Sequence, residues 1–433
     1  GGRSWTRVLQ AMSRCGGGTP AGGGDYERAS DPWVDIGLDG TVYALALAFS
    51  GNSAQSPANA VLASRSVDGG LTWSAPATLA SDGAAFFNDK TSLTVDPTDP
   101  SHVYAVWDRL VNATGAGPTM LARSTDSGVT WEPARAIYAP PGSGQTIGNR
   151  IVALNGGPEA GTLIDFFTQI DSAGAAPHLD VIRSTDKGTT WSAPSRIAAL
   201  QSVGTRDPET GTLARDGGII GSIAAGPGGV LWATWQDARF SGGARDAIAV
   251  AHSNDGGRTW SAPLAVNRDP GVAAFTPVIN VRADGTVGVL HYDLRPNTTA
   301  PDTLLAAAWL LTSRDGIAWT ETSVWSPFDL DGAPRVVDGL FLGDYEGLVS
   351  TNTTFLPVLV LSSSDATNRT DVYAMTFAGL AAANADLARM HAARAANPAS
   401  AEALPPAAFV GRVRDHTTRS LAARLPTGAA GRP

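Results

Sequence analysis

Three stretches of the sequence follow an aromatic residue with an aspartate and an arginine: Trp107-Asp108-Arg109, Trp235-Gln236-Asp237-Ala238-Arg239 and Tyr292-Asp293-Leu294-Arg295. An arginine presents a planar fork of donors that fits a carboxylate bidentately. Each motif therefore either grips an acidic ligand or closes on an aspartate of the protein and fixes a loop. Other polar groups stand at the starts of apolar runs: Asp31, Asp89 with Lys90, Asn149 with Arg150, Asp216, and Asp344-Tyr345-Glu346. Arginines freed from such internal pairs would suit a bidentate carboxylate contact. The histidines at 102, 178, 252, 291, 391 and 416 form no ligand-like pair, so neither a metal nor a cofactor is expected. His291 reads as a core residue of a strand.

The elements that must position these groups are announced by a repeat. Ser66-Val-Asp68-Gly-Gly70-Leu-Thr72-Trp73 returns at Ser124–Trp131, Ser184–Trp191 and Ser253–Trp260, and in degenerate form at Ser313–Trp319. Successive tryptophans are 58, 60, 69 and 59 residues apart, a period that signals repeated supersecondary units. The pattern S-x-D-x-G-x-T-W has the chemistry of a tight turn. Short Ser and Asp side chains accept from backbone N–H groups just ahead, and Gly supplies a positive φ. Five copies exceed what one active site uses, so the motif is read as a hairpin turn and not as a ligand site.

Each turn is preceded by strand-like runs, such as Thr41–Phe49, His102–Trp107, Thr162–Phe167, Val230–Trp235 and Val287–Tyr292. A sixth unit without the turn motif spans Gly343–Phe377. The expected fold is all-β: a six-bladed β-propeller with four-stranded antiparallel blades, within the usual range of about 4–8. Residues 1–378 form the propeller, with Trp5 to Met12 supplying the last strand of the sixth blade. In that geometry the repeated turns lie at one end, and the first-strand starts and second-strand ends gather at the other. That second end is where a ligand site is expected.

The repeated turns resemble the Asp boxes, or BNR repeats, of the sialidase superfamily, over roughly residues 1–378. The resemblance implies a secreted glycoside hydrolase acting on acidic glycans of the sialic-acid type. Its implied machinery is a tyrosine nucleophile, Tyr345, activated by Glu209, with Asp89 as acid/base. Arg150, Arg239 and Arg295 are implied as carboxylate-binding groups, with Arg109, Lys90 and Asp31 as further substrate contacts. The chain departs from true exo-α-sialidases: no Arg-Ile-Pro precedes the first box, and the nearest echo is Arg150-Ile151-Val152. The other reading is a non-catalytic propeller that binds a glycan or protein at the same end.

Bulk properties agree with this class and exclude others. The net charge of −9 argues against a broad nucleic-acid face. Cys15 is the lone cysteine, so no internal disulfide or Cys-rich zinc site forms. No apolar run reaches the ~18 residues a membrane helix needs. Export is expected with the signal segment absent, and the molecule is expected to act as a monomer. Residues 379–400 are rich in Ala and other helix formers, and predict a C-terminal helix followed by an irregular tail over 401–433.

Overall fold

The computed structural model describes residues 6–51, 58–171, 176–336 and 339–374. Trp5 and the segments expected as a C-terminal helix and tail lie outside the described residues. The described chain divides into two compact units, Thr6–Ile197 and a second that begins at Ala198.

The first unit is built from three antiparallel meanders. Sheet 1 comprises Arg28–Ile36, Val42–Phe49, Asn59–Ser66 and Ala77–Asp82. Sheet 2 comprises Phe86–Val95, Val103–Val111, Thr119–Ser124 and Arg135–Tyr138. Sheet 3 comprises Gln145–Ala153, Leu163–Ile170, His178–Ser184 and Ser195–Ala199. In the second unit, sheet 4 runs through Ser222–Ala225, Leu231–Asp237, Ala247–Ser253 and Leu264–Ala265. Sheet 5 runs through Ala274–Val281, Val287–Asp293, Leu305–Ser313 and Thr320–Ser323, with Phe328–Asp329 also pairing to its third strand. Sheet 6 has three described strands, Gly347–Ser350, Phe355–Ser362 and Thr370–Ala374. A small sheet of Ala214–Arg215, Gly339–Phe341 and Arg335–Val336 joins them. The fourth strand expected for sheet 6 is not supplied by residues 6–12, which form no strand. Met12 instead packs with Ala44, Ala46 and Leu62 of sheet 1, where its side chain is buried.

Neighbouring sheets within a unit share cores. Tyr43, Leu45 and Val61 of sheet 1 meet Leu93, Ala105 and Trp107 of sheet 2. The opposite face of sheet 2, with Tyr104, Val106 and Leu121, meets Ile151 and Leu163 of sheet 3. In the second unit, Ile248 and Val250 of sheet 4 pack on Ile279 and Val289 of sheet 5. Leu290 and Tyr292, on the other face of sheet 5, pack on Leu348 and Leu359 of sheet 6. Strands covered on both faces are apolar throughout, which is why Val42–Phe49 and Val103–Trp107 lack a polar alternation.

The repeated motif forms the turn between third and fourth strands. The Asp68 carboxylate accepts from the Leu71 and Thr72 N–H groups at 3.0 and 2.9 Å and from the Thr72 hydroxyl at 2.6 Å. The Gly70 N–H donates to Ser66 Oγ at 2.8 Å, and Trp73 Nε1 donates to the Gly70 carbonyl at 3.1 Å. Asp126, Asp186 and Asp255 make the same threonine bonds. The threonine hydrogen bonds lower Asp68, Asp126 and Asp186 to about 2. The turns also lock sheet to sheet. Arg65 donates to the Ser127 carbonyl at 3.2 Å, and Arg123 to the Lys187 carbonyl at 2.6 Å.

Position four of the motif is left-handed in every full copy: Gly69 at φ 75°, Ser127 at 58°, Lys187 at 58° and Gly256 at 68°. A residue with a Cβ pays roughly 1 kcal/mol there, and Gly does not. The neighbouring Gly128 has no such latitude, because its φ is 75° and an added Cβ would lie 2.8 Å from Tyr43 of sheet 1. Two adjacent substitutions should therefore move stability in opposite directions. In thermal melts Ser127→Gly is expected to gain up to about 1 kcal/mol, and Gly128→Ala to lose more than that.

Candidate functional site

The first strands of sheets 1, 2 and 3 each carry a bulge at the same level. Pairing with the second strand slips between Ser30 and Trp33, between Asp89 and Ser92, and between Ile147 and Arg150. The slip rests on a left-handed residue, Asp31 at φ 52°, Lys90 at 50° and Gly148 at 71°. A bulge of this kind bends the strand and re-aims its side chains. Asp31, Lys90 and Gly148 are thus equivalent, and so are Trp33, Ser92 and Arg150. Ser92 is small, so Arg150 passes over sheet 2 and places its guanidinium 5.3 Å from the centre of the Trp33 ring. Lys90 Nζ lies 3.8 Å from Asp31 Oδ2, and the Thr91 hydroxyl donates to the Asp31 carbonyl at 2.9 Å.

Two carboxyls complete this cluster. Asp89 and Asp108 stand directly opposite each other on adjacent strands of sheet 2, and only 3% and 0% of their surfaces are exposed. Burial, and then the charge of Asp89, push Asp108 well above the usual carboxylate range, while Asn149 and Lys90 act in the opposite direction. Asn149 Nδ2 donates to Asp108 Oδ1 at 2.5 Å. Of the residues singled out from sequence, the structure therefore brings together Asp31, Asp89, Lys90 and Arg150. Trp33 was not among the residues singled out from sequence. Its one local signal was Pro32, since proline inside a strand marks an edge or a bulge.

Arg109 is turned away from this cluster. Its guanidinium forms a bidentate pair with Asp82 at 2.9 and 2.7 Å and lies 3.7 Å over the Phe86 ring. In the second unit, Arg239 pairs with Asp237 at 2.8 Å and donates to the Ala199 carbonyl. Arg295 is buried, 3.6 Å over Trp309, and is held by Asp293 at 2.5 Å and by Glu321 at 2.5 and 2.8 Å. All three arginines of the aromatic-Asp-Arg motifs thus serve carboxylates of the protein. Trp235 and Trp309 donate their indole N–H to Asp237 and Asp293.

The remaining candidates belong to the second unit. The Glu209 carboxylate accepts from Asn297 Nδ2 at 2.9 Å. Burial and a hydrogen bond with Asp207 raise it above its ordinary range. Tyr345 lies between Gly339–Phe341 and Gly347–Ser350, next to Asp344, whose carboxylate takes a bidentate pair from Arg215 at 3.2 and 2.7 Å. Tyr292 is buried beside Glu346 and is raised well above its usual range by burial, then by that carboxyl group. Its hydroxyl donates to the Val360 carbonyl at 2.6 Å. His291, read from sequence as a core residue of a strand, is fully buried in the strand Val287–Asp293. Asp246, which sequence reading passed over, accepts from Ser202 Oγ, from the Val203 and Gly204 N–H groups and from Gln236 Nε2. Burial, then neighbouring Asp216, raise it to about 7. Among the described residues no group of three His, Cys, Asp or Glu is arranged to hold a metal, and no helix is long and apolar enough to cross a membrane.

No family model matches the chain. A xyloglucanase from a Paenibacillus species is 26% identical over 250 residues, covering 54% of this chain and 21% of that protein. A sialidase from Micromonospora viridifaciens is 25% identical over 299 residues, covering 62% of this chain and 42% of that protein. The chain thus spans less than half the length of these two relatives. Among solved structures, the Hadza microbial sialidase Hz136 aligns with a TM-score of 0.52 at 19% identity, over 82% of this chain and 67% of that one. This likeness is one of fold: the chain is built like that sialidase.

The pairing of Arg295 has a direct consequence. Removing its guanidinium leaves Asp293 and Glu321 buried without a cation, a change that typically costs about 3–5 kcal/mol. Arg295→Ala is therefore expected to lower the thermal midpoint strongly with no ligand present. A variant as stable as the parent would return Arg295 to the set of ligand-binding candidates.

Proposed function

We propose that this protein is an extracellular glycoside hydrolase that acts on acidic glycans, with its anion-holding and acid/base groups in the cluster around Arg150 and Asp89. The observation that carries the reading is the guanidinium of Arg150 laid against Trp33, with Lys90, Asp31 and Asp89 beside it. An arginine backed by an indole ring offers a sugar carboxylate a bidentate partner and offers the apolar face of a sugar ring a flat surface. Asp89, at the strained bulge, supplies the proton for the departing glycosidic oxygen. The sialidase resemblance also implies a tyrosine nucleophile, Tyr345, with Glu209 as its base, both residues of the second unit. Hydrolysis of glycans is supported by the xyloglucanase and sialidase relatives. The preference for an acidic sugar rests on Arg150 and Lys90.

Fluorogenic sialosides, uronides and xyloglucan oligosaccharides test this. Turnover of an acidic substrate is expected, with a loss of about 10²–10⁴-fold in kcat for Asp89→Asn. Arg150→Ala is expected to weaken kcat/KM for acidic substrates and to spare any neutral one. Tyr345→Phe is expected to abolish turnover. No hydrolysis across the whole panel would remove the enzyme reading. A second reading, a glycan-binding propeller without catalysis, is favoured by the commitment of Arg239 and Arg295 to internal carboxylates. It predicts binding on a glycan array that is lost in Arg150→Ala and Trp33→Ala, with no product formed.

A further inference from the structure

Asp344 and Glu346 flank Tyr345, and the fold treats the two carboxyls in opposite ways. Asp344 is met by the guanidinium of Arg215, which itself lies 4.3 Å over the Phe341 ring. Glu346 is half-buried as a residue, but both its carboxyl oxygens are buried, and among the described residues neither accepts a hydrogen bond. Beside it lies Tyr292 of sheet 5, and each of the two groups acts on the other. The Tyr292 hydroxyl is already engaged. It donates its hydrogen to the Val360 carbonyl at 2.6 Å and accepts from the Val360 N–H at 3.0 Å. A hydroxyl has one hydrogen and two lone pairs, so Oη keeps one lone pair and has nothing left to donate. A hydrogen placed between Tyr292 and Glu346 must therefore come from Glu346.

The surroundings give an ionised Glu346 no support. Ala274–Val281 and Phe355–Ser362, which pack against the first strand of sheet 6, hold no titratable residue. In Val287–Asp293, His291 and Asp293 alternate onto the face away from Tyr292. In the small sheet, Arg215 is paired with Asp344 and Arg335 with Asp331. A buried carboxylate without a cation or a donor costs far more than a buried acid with one hydrogen bond. Burial accordingly pushes Glu346 well above the usual carboxylate range, with Tyr292 acting in the opposite direction.

We propose that Glu346 is a neutral carboxylic acid at neutral pH, and that its O–H bond to Tyr292 Oη docks the Tyr345 segment onto sheet 5. Tyr292 then ties three parts together: sheet 5, the second strand of sheet 6 through Val360, and the start of its first strand through Glu346. Tyr345 is held between that neutral bond and the charged Arg215–Asp344 pair. Glu346 is a positioning residue, and its consequence for catalysis rests on the hydrolase reading. When base takes the Glu346 proton, the bond to Oη is lost and a buried carboxylate faces an oxygen lone pair. The unfolded chain loses this proton near pH ~4.3 and the folded one only at higher pH. The folded state therefore holds more protons in between, and stability falls as pH rises through that window.

Glu346→Gln replaces the acid by an amide of the same shape that donates to Tyr292 at every pH. In thermal melts the midpoints of variant and parent are expected to coincide near pH ~4, and the variant to gain on the parent as pH rises toward ~8. A parent that is the more stable of the two at neutral pH would make the ionised form the stabilising one, and the proposal fails. Carboxyl-carbon NMR gives a second readout free of turnover: a protonated glutamate signal at neutral pH in the parent that is missing from Glu346→Gln. Absence of that signal from the parent also overturns the proposal. On an acidic glycoside, Glu346→Ala is expected to lower kcat about 10–10²-fold by loosening Tyr345, and Glu346→Gln to restore it. Loss of turnover in Glu346→Gln with its stability intact would make the ionised carboxylate part of the reaction and remove the docking role. If the melts and the protonated glutamate come out as expected and the parent hydrolyses nothing, the hydrolase reading fails and the docking bond stands.

Discussion

The first strand of each sheet is an edge, and its outward N–H groups must find acceptors or face water. Within each unit the preceding sheet supplies them from its own first strand. Asp35 accepts from the Val95 N–H at 2.8 Å, Ser92 from Ile151 at 3.1 Å and Ser222 from Ile279 at 3.3 Å. This constraint sets neighbouring first strands side by side, and the bulges then occur at matched levels. Everything the candidate site uses follows from that juxtaposition. Residues sixty apart in sequence, Asp31 and Lys90 or Trp33 and Arg150 by way of Ser92, become neighbours because their strands do. The small side chains at 92 and 222 are part of the same solution, since an acceptor close to the backbone holds two strands near each other where a longer one would spread them.

What the sequence made legible was local. The Ser–Asp–Gly–Thr–Trp turns are closed by hydrogen bonds within four residues, so their chemistry is written in consecutive letters. Strand order within sheets followed from them. The arginine partners were not legible, because Asp82 precedes Arg109 by 27 residues and Glu321 follows Arg295 by 26, each on another strand. The motif around Arg295 contained one partner, Asp293, but nothing in its spacing distinguished a closed pair from an open fork. The bulges were also hidden. Asp31-Pro32-Trp33 and Asp89-Lys90-Thr91 read as ordinary strand starts, yet one slipped residue decides which side chains share a face. The segment Trp5 to Met12 was expected as the last strand of the sixth blade. Met12 is instead claimed by the core under sheet 1.

The two units handle buried carboxyls differently. In the second unit Asp246 is surrounded by neutral donors, with four hydrogen bonds from the segment 202–204 and Gln236. That arrangement ties a long connection to sheet 4 and presents no cation to a ligand. In the first unit the carboxyls at 89 and 108 have Lys90, Arg150 and an aromatic face close by. Hydrogen bonds alone explain the former as architecture. The latter mixes charge signs and an indole at one place, which architecture at the equivalent junction between sheets 4 and 5 achieves with Gln236 and Thr276.

The backbone at the bulge makes the same point from another direction. Gly148 adopts the left-handed conformation without a Cβ, so the bend itself requires no side chain. Asp31 and Lys90 adopt it at a cost of the order of 1 kcal/mol each. Lys90 Nζ and Asp31 Oδ2 lie 3.8 Å apart, within ion-pair reach. The bend itself is thus not what calls for these two side chains. What the two side chains add is a cation and a carboxylate fixed at one level beside Arg150 and Trp33. Charged ends held in place in advance lose little freedom on meeting a ligand, and that preorganisation is what the reading proposed above would use.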